Sequence, residues 1–411
     1  MKRVILLLQF ILVTTILILS NGCSSTSAQQ NQRWSTSNAF APHGQETNPI
    51  SQQSRQIALL LPRSGPYASY ANAIRNGFFT AYYDQKNQTG YAPTIIVIDT
   101  QNKNIQTVVQ TAVAQGADFI VGPLEKPNVL TLAESHQSHV PILALNTTPN
   151  STRMNNTSLY EFGLSPTQEA EQAAEKAWQD HHRHVIILAP NNAQGQRIAN
   201  AFSTQWKTLG GTIVGQQFYG NIASLSKSIR AVLQIDSAYQ NAHDLKNMFH
   251  EDMRFIPQRR HDFDSIFLIA TPDMGRQIQP LLRFYFVDNI PIYTTSQIYT
   301  GMPNADRDRD LDGILFCDMP WILAPNLQPS SVRSVQQHIQ TLWPDTARRL
   351  AKFYAMGVDA FNLTLQLNKM QSQPRVGVSA ATGTLYLTPK RTLDRQLVWA
   401  QFKNGEPQLV R

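Results

Sequence analysis

The sequence predicts an α/β protein made of two Rossmann-like lobes joined by three crossovers. Three observations carry this. Short apolar runs without polar alternation are each succeeded by helical periodicity, the pattern of parallel strands covered on both faces. The strand–helix alternation runs through two consecutive series of roughly 110 to 140 residues each, which is two doubly wound units with a cleft between them. The chain beyond the second series is too short to build a third core, so it must complete the first two.

The first series opens with the strand-like run QIALLLP from Gln56. A Ser64-Gly65-Pro66 turn leads to a helix whose apolar positions Tyr67, Ala71, Ile74, Phe78, Ala81 and Tyr82 recur at spacings of three and four. TIIVIDT (94–100) is the next strand, IQTVVQTAVAQG a helix and ADFIVGP (117–123) a strand. A short helix then leads to PILALN (141–146). The second series begins after LYEFGLSPTQEAEQAAEKAW. The strand HVIILAP (184–190) and a helix over 194–209 are closed by Gly210-Gly211. TIVGQQFY, a helix near 224–234, DSIFLIA (264–270), a helix over 274–286 and IPIYTTS (290–296) complete it. Residues 236–263 interrupt this series as a polar, partly helical insertion. Of the remainder, GILFCDMPW is one strand, and DTARRLAKFYAMGVDAFNLTLQL reads as one long helix capped by Asp345. GTLYLTPKRTLDRQLVWAQFKNGEPQLV reads as a hairpin. The chain then crosses between lobes near 160–165, 312–320 and 376–387, giving one lobe of about 56–163 plus 318–375 and another of about 164–312 plus 376–411.

The N-terminus carries a different signal. Lys2 and Arg3 precede an apolar run from Val4 to Leu19 that stops at Ser20-Asn21-Gly22-Cys23. This is a secretory signal, shorter than the roughly 20 apolar residues a membrane span needs. The cysteine after small residues makes it a lipoprotein signal over 1–22, with Cys23 as the lipid anchor. Position −3 departs from the pattern, being Ser20 with Leu19 one place early. Several acyl chains at about 0.8 kcal/mol per buried CH2 anchor firmly where one would not. Residues 23–55, rich in Gln, Ser, Asn and Thr, cannot offset their ordering entropy and read as a disordered tether. The globular module is 56–411.

Net charge is +7; without Lys2 and Arg3, 33 basic residues face 28 acidic ones. In an exported chain this mild excess favours anionic envelope partners. No dense Lys/Arg run interleaved with aromatics is present, so nucleic-acid binding is not expected. With Cys23 acylated, Cys317 is left alone in the apolar GILFC and no intrachain disulfide can form.

Four blocks, IALLLPRSGPYASYANAIRNGFFTAYY, FIVGPLEKPNV, LDGILFCDMPW and ATGTLYLTPKRTLDRQLVWAQF, are similar to the penicillin-binding protein activator lipoproteins (the LpoA/LppC family). The architecture resembles type I periplasmic binding proteins. The resemblance covers essentially all of 56–411; longer family members carry an N-terminal helical-repeat domain where this sequence has the 24–55 stretch. It implies a non-enzymatic outer-membrane lipoprotein, facing the periplasm, that stimulates a class A penicillin-binding protein during peptidoglycan synthesis. The alternative in the same fold is a lipid-anchored solute-binding receptor for an amino acid or muropeptide. Its ligand would lie beyond the carboxyl ends of the strands, at Ser64, Gly65, Pro123, Leu124, Asn146, Thr147, Thr148, Asn191 and Ser296.

Catalytic and metal signatures are weak. There is neither a Gly-x-Ser-x-Gly elbow nor a Walker loop, and the Ser-x-x-Lys at Ser224–Lys227 lacks the companion motifs of penicillin-binding enzymes. His181, His182 and His184 flank a helix end and read as a solvated terminus rather than a zinc site. The mixed charges of 250–264 read as a solvated face or, more sharply, a partner surface. Asp308, Asp310, Asp312 and Gly313 imitate an EF-hand start. Position twelve is Met319 rather than Glu, and Gly313 runs into a strand, so the stretch reads as a turn before a hinge strand. No cofactor and no metal are expected.

Overall fold

The structure is a computed structural model that describes residues 56–135, 138–149, 155–249 and 258–410. The signal, Cys23, the tether and most of the charged run at 250–257 lie outside the described residues.

Two parallel sheets form, as the uninterrupted apolar runs require. The first has the order β2-β1-β3-β4-β5, all parallel. Its strands are β1 (Gln56–Leu61), β2 (Thr94–Asp99), β3 (Phe119–Val121), β4 (Ile142–Ala144) and β5 (Leu159–Glu161). Between them run α1 (Ala68–Thr89), α2 (Ile105–Ala114) and α3 (Lys126–Glu134). The second sheet has seven strands in the order β15-β14-β10-β9-β8-β6-β7. Its parallel part comprises β6 (His184–Pro190), β7 (Thr212–Tyr219), β8 (Ser265–Leu268), β9 (Ile292–Thr294) and β10 (Ile314–Asp318). The helices of this lobe are α4 (Pro166–Gln179), α5 (Ala193–Thr208), α6 (Ile222–Val232), α7 (Ile235–Phe249) and α8 (Pro272–Phe284).

Each sheet is covered on both faces. In the first, Leu59, Val121 and Leu143 pack under α1, while Ala58, Ile120 and Ile142 pack under α2 and α3. In the second, Leu188 and Leu268 face α6 and α8, while Val185, Ile187 and Phe267 face α4 and α5. Phe267 stacks on Phe202 with centroids 4.0 Å apart, and Trp206 stacks beyond it. Gly210, at φ +97°, turns the chain after α5, and the indole of Trp206 fills the space where a Cβ on Gly211 would stand.

Several elements differ from the sequence expectation. The run TIIVIDT sits at the sheet edge as β2, half-buried, with Val97 exposed. An apolar run specifies a strand, but whether a neighbour pairs on both sides is decided by the rest of the sheet. The expected single helix at 345–367 is broken at Leu350 into α12 (Pro344–Arg349) and α13 (Ala351–Ser372). Pro344 takes the first helical position of α12, so the cap position is Trp343 and not Asp345. Upstream, Asp308 ends a short helix, α9 (Ala305–Asp308), and a 3-10 turn intervenes before β10.

The C-terminal segment does more than form a hairpin. After α10 (Pro320–Leu323) and α11 (Ser330–Leu342), α13 lies along α1 in the first lobe. There Tyr354, Met356, Val358 and Phe361 join the core under β1, β3 and β4. The strands β11 (Val378–Ala380), β12 (Gly383–Leu387) and β13 (Leu393–Gln396) form a separate antiparallel sheet that buries Leu385, Leu387 and Leu393 in that same core. Only after Leu397 does the chain reach the second sheet, adding β14 (Val398–Lys403) antiparallel to β10, then β15 (Glu406–Val410). The third crossing therefore lies at Leu397 and not near 376–387, because the leucines of β12 and β13 enter the first core. Asn404-Gly405 makes the β14–β15 turn with φ of +55° and +77°, the left-handed pair a tight hairpin requires.

Candidate functional site

The cleft-facing loops lie where the parallel strands end, and the structure gives each expected residue a definite place. Ser64 and Gly65 are exposed after β1, with Gly65 at φ +81° and the Gln101 side chain against it. Pro123 and Leu124 come directly after β3. The Leu124 carbonyl accepts from the Asn146 side-chain amide at 3.0 Å, and Asn146 Oδ1 accepts from the Thr147 N–H at 2.9 Å. One side chain thus staples the β3 and β4 loops. The Thr148 N–H donates to Glu161 Oε1 at 3.1 Å. Across the cleft, Ser296 is buried and its N–H donates to Glu169 Oε2 at 3.0 Å. Asn191 stands exposed before α5, its N–H donating to the Tyr219 carbonyl. The structure therefore groups Leu124, Asn146, Thr147 and Thr148, ties Ser296 to a different set, and leaves Asn191 outside both.

Backbone N–H groups at strand ends are what a substrate-binding fold offers to an anionic ligand. Here two of them, on Thr148 and Ser296, are taken by the carboxylates of Glu161 and Glu169. Both acids are buried. Burial pushes the Glu161 carboxyl above its usual range, partly offset by the Thr148 hydrogen bonds.

A cluster that the sequence did not advertise fills the junction between the lobes. Lys352, at the start of α13, lies 3.1 Å from Asp318 Oδ2 at the end of β10 and donates to the Ser296 carbonyl at 3.3 Å. Glu169 on α4 pairs with Arg395 on β13 at 3.4 Å; Arg395 is 2% exposed and Asp318 1%. Asp359, in the middle of α13 and fully buried, accepts from the N–H groups of Ala381 and Thr382 at 2.8 and 2.7 Å. Two signals in the sequence point this way. Arg395 alternates with Leu393 on the inward face of a strand, and Asp318 sits inside the apolar FCDMPW.

Asp318 at this junction and Glu171 beside it are held above the usual carboxylate range. Burial pushes Asp318 up to about 6, with Lys352 pulling the other way. Glu171 on α4 is pushed up to about 7 by burial and by the negative charge of Asp394. A carboxyl whose folded pKa is raised holds its proton longer in the folded state. Its favourable contribution is complete below the unfolded pKa and disappears as pH rises through the folded value. Glu171→Gln, which imitates the protonated form, is therefore expected to match the native protein near pH 4.5. At pH 8 it is expected to be more stable by about 1–2 kcal/mol, allowing for screening at a half-buried position. Thermal unfolding of both proteins across that range checks this, and equal midpoints at pH 8 contradict it.

The remaining sequence candidates are structural. Asn221 caps α6, its Oδ1 accepting from the Ser224 N–H at 3.1 Å, and the Ser224 hydroxyl donates to the Asn221 carbonyl at 3.0 Å. His182 and His184 both face Asp264, at 3.7 and 3.6 Å. Asp308 turns inward to accept two hydrogen bonds from the Arg276 guanidinium, the shorter 2.6 Å, and Asp312 Oδ1 accepts from the Gly405 N–H at 2.8 Å. Two of the aspartates that imitate a calcium loop are thus spent on protein donors. Among the described residues no three His, Cys, Asp or Glu side chains are arranged so that they could hold a metal ion, and no helix is long and apolar enough to cross a membrane. Cys317 is buried, and burial pushes its thiol well above the ordinary value.

The same architecture occurs in known relatives. The family model of the LppC lipoproteins matches residues 45–405. The penicillin-binding protein activator LpoA of Photobacterium profundum is 28% identical over 350 residues, which is 84% of this chain and 55% of that protein. The chain thus spans a little over half the length of such relatives. The solved LpoA (YraM) C-domain of Haemophilus influenzae, a regulator of PBP1A, superposes with a TM-score of 0.66 at 28% identity. That match covers 87% of this chain and 100% of that domain. An ABC transporter substrate-binding protein of Desulfitobacterium hafniense superposes with a TM-score of 0.56 at 17% identity over 86% of this chain, a likeness of fold alone.

Proposed function

The chain belongs to the LppC lipoprotein family, and from that premise we propose that it is a non-enzymatic activator of a class A penicillin-binding protein. In this reading Cys23 carries the lipid, the outer membrane is the anchor, and the 23–55 segment lets the module stand off toward the synthase. The observation that carries the reading is coextension. The match takes in 87% of this chain and the whole C-domain of a PBP1A regulator. A solute-receptor reading has less support, because Glu161 and Glu169 occupy two of the backbone donors an anionic ligand would use.

The expected result is that the purified protein raises glycan polymerisation or cross-linking by a bifunctional penicillin-binding protein supplied with lipid II. A mixture that shows no change in either rate with any class A synthase of the same cell would sink the proposal. So would a tightly held amino acid or muropeptide that survives purification.

A further inference from the structure

Solute receptors of this architecture work by hinging, and hinges are segments at element ends that absorb rotation without losing buried contacts. The three crossings of this chain are built the opposite way. At the first, α4 begins immediately after the crossing and is zipped to β13 of the other lobe. Gln168 donates to Asp394 at 3.0 Å and Gln172 to the Arg395 carbonyl at 2.7 Å, while Glu169 pairs with buried Arg395. At the second, Asp318 ends β10 and is held by Lys352 from α13 of the first lobe, which also reaches the Ser296 carbonyl of the second. At the third, a single residue, Leu397, separates β13 from β14; it is buried, and its N–H donates to Gln172 Oε1 at 3.0 Å.

We infer that these ties latch the two lobes at one fixed angle, so that the module presents a rigid face spanning both lobes instead of a cleft that closes on a ligand. Rotation about the crossings would pull Lys352 from Asp318 and Glu169 from Arg395, stranding buried charges without partners. It would also break the bonds of Gln172 to the Arg395 carbonyl and the Leu397 N–H. The cost of a buried unpaired charge is far larger than that of an exposed one. Such a latch is independent of which protein the module binds.

The test reads the width of the cleft directly. Lys103→Cys and Gln194→Cys place spin labels on exposed positions at the strand ends of the two lobes. They are made in a Cys23→Ser background, which removes the other native cysteine; Cys317 is buried out of reach of the label and stays. The expected interlobe distance is a single narrow population, unchanged by a soluble muropeptide digest. In Lys352→Met/Asp318→Asn it broadens, and in Lys352→Arg it stays narrow. If the double variant does not unfold cooperatively, Gln172→Ala, which removes only neutral hydrogen bonds at the third crossing, is read in its place. Two populations in the native protein overturn the latch, as does a shift on adding muropeptides, or a distribution in Lys352→Met/Asp318→Asn (or in Gln172→Ala where that is read instead) that superimposes on the native one.

Discussion

Gly357→Val is expected to be the most damaging single substitution in the first lobe. α1 and α13 cross so closely that their backbones touch. A Cβ on Gly357 would collide with the Ile74 carbonyl and the Phe78 N–H, and a Cβ on Gly77 would collide with the Tyr354 carbonyl. The obstacles are main-chain atoms inside two helices, which cannot rotate aside as a side-chain tip can. Overpacking in a core generally costs 1–3 kcal/mol, and here the helices must separate along their length, so a loss of at least about 3 kcal/mol is expected. Denaturant unfolding would show a lower midpoint with the slope retained. Gly77→Ala is expected to weaken the same crossing by a smaller amount. The double variant should cost less than the two singles added, because once the helices have parted the second methyl finds room. A Gly357→Val protein with native stability would mean that the helices do not cross at these glycines. The approach of Gly357 to the Ile74 carbonyl also explains a sequence fact: the apolar stripe of α13 is interrupted by a glycine where a larger residue would be expected.

The second large effect is expected at Arg395. Its side chain is buried between lobes, paired with Glu169, and its positive charge favours ionised Asp359 as well. Arg395→Met keeps an unbranched chain and removes the charge, leaving two acids in the junction without their cation. Breaking a buried pair from one side costs about 3–5 kcal/mol. The loss should be smaller at pH 5 than at pH 8, because Asp359, which burial pushes up to about 6, can then take up a proton. Arg395→Met/Glu169→Gln should recover part of it, since the second change removes one of the stranded charges. Urea midpoints at the two pH values check both statements. A single variant that is equally destabilised at pH 5 and pH 8 would show that lost packing, not stranded charge, is the cause. Lys352 differs in its solvation. Its side chain is 27% exposed, so water can stand in for part of what it supplies to Asp318.

Much is legible from the residues alone because the relevant physics is local or periodic. Unbroken apolar runs such as QIALLLP and HVIILAP point to strands covered on both faces, and their alternation with helical stripes points to two doubly wound lobes. The blocks FCDMPW and TGTLYL mark the family, and Met319 in place of the required Glu rules out an EF-hand loop on sequence grounds. The third crossing is less accessible, since strands β11 to β13 stay with the first lobe and the chain leaves it at Leu397. Nothing in the alternation of GTLYL says which of two cores its leucines enter. The cleft residues rest on the general rule that strand ends face a ligand. That rule does not reveal that Glu161 and Glu169, carried on other elements, occupy the donors of Thr148 and Ser296.

By itself, then, the sequence determined which segments are strands and helices, which of their faces are apolar, and how many lobes they make. Those properties arise from side chains within a few residues of one another. Only the tertiary structure decided that α1 and α13 meet backbone to backbone, that β2 is an edge, and that Lys352, Asp318, Glu169, Arg395 and Asp359 share one buried junction. Each of those is a contact between residues up to hundreds of positions apart. Its free energy depends on the distance and the dielectric between them, quantities that no local pattern contains.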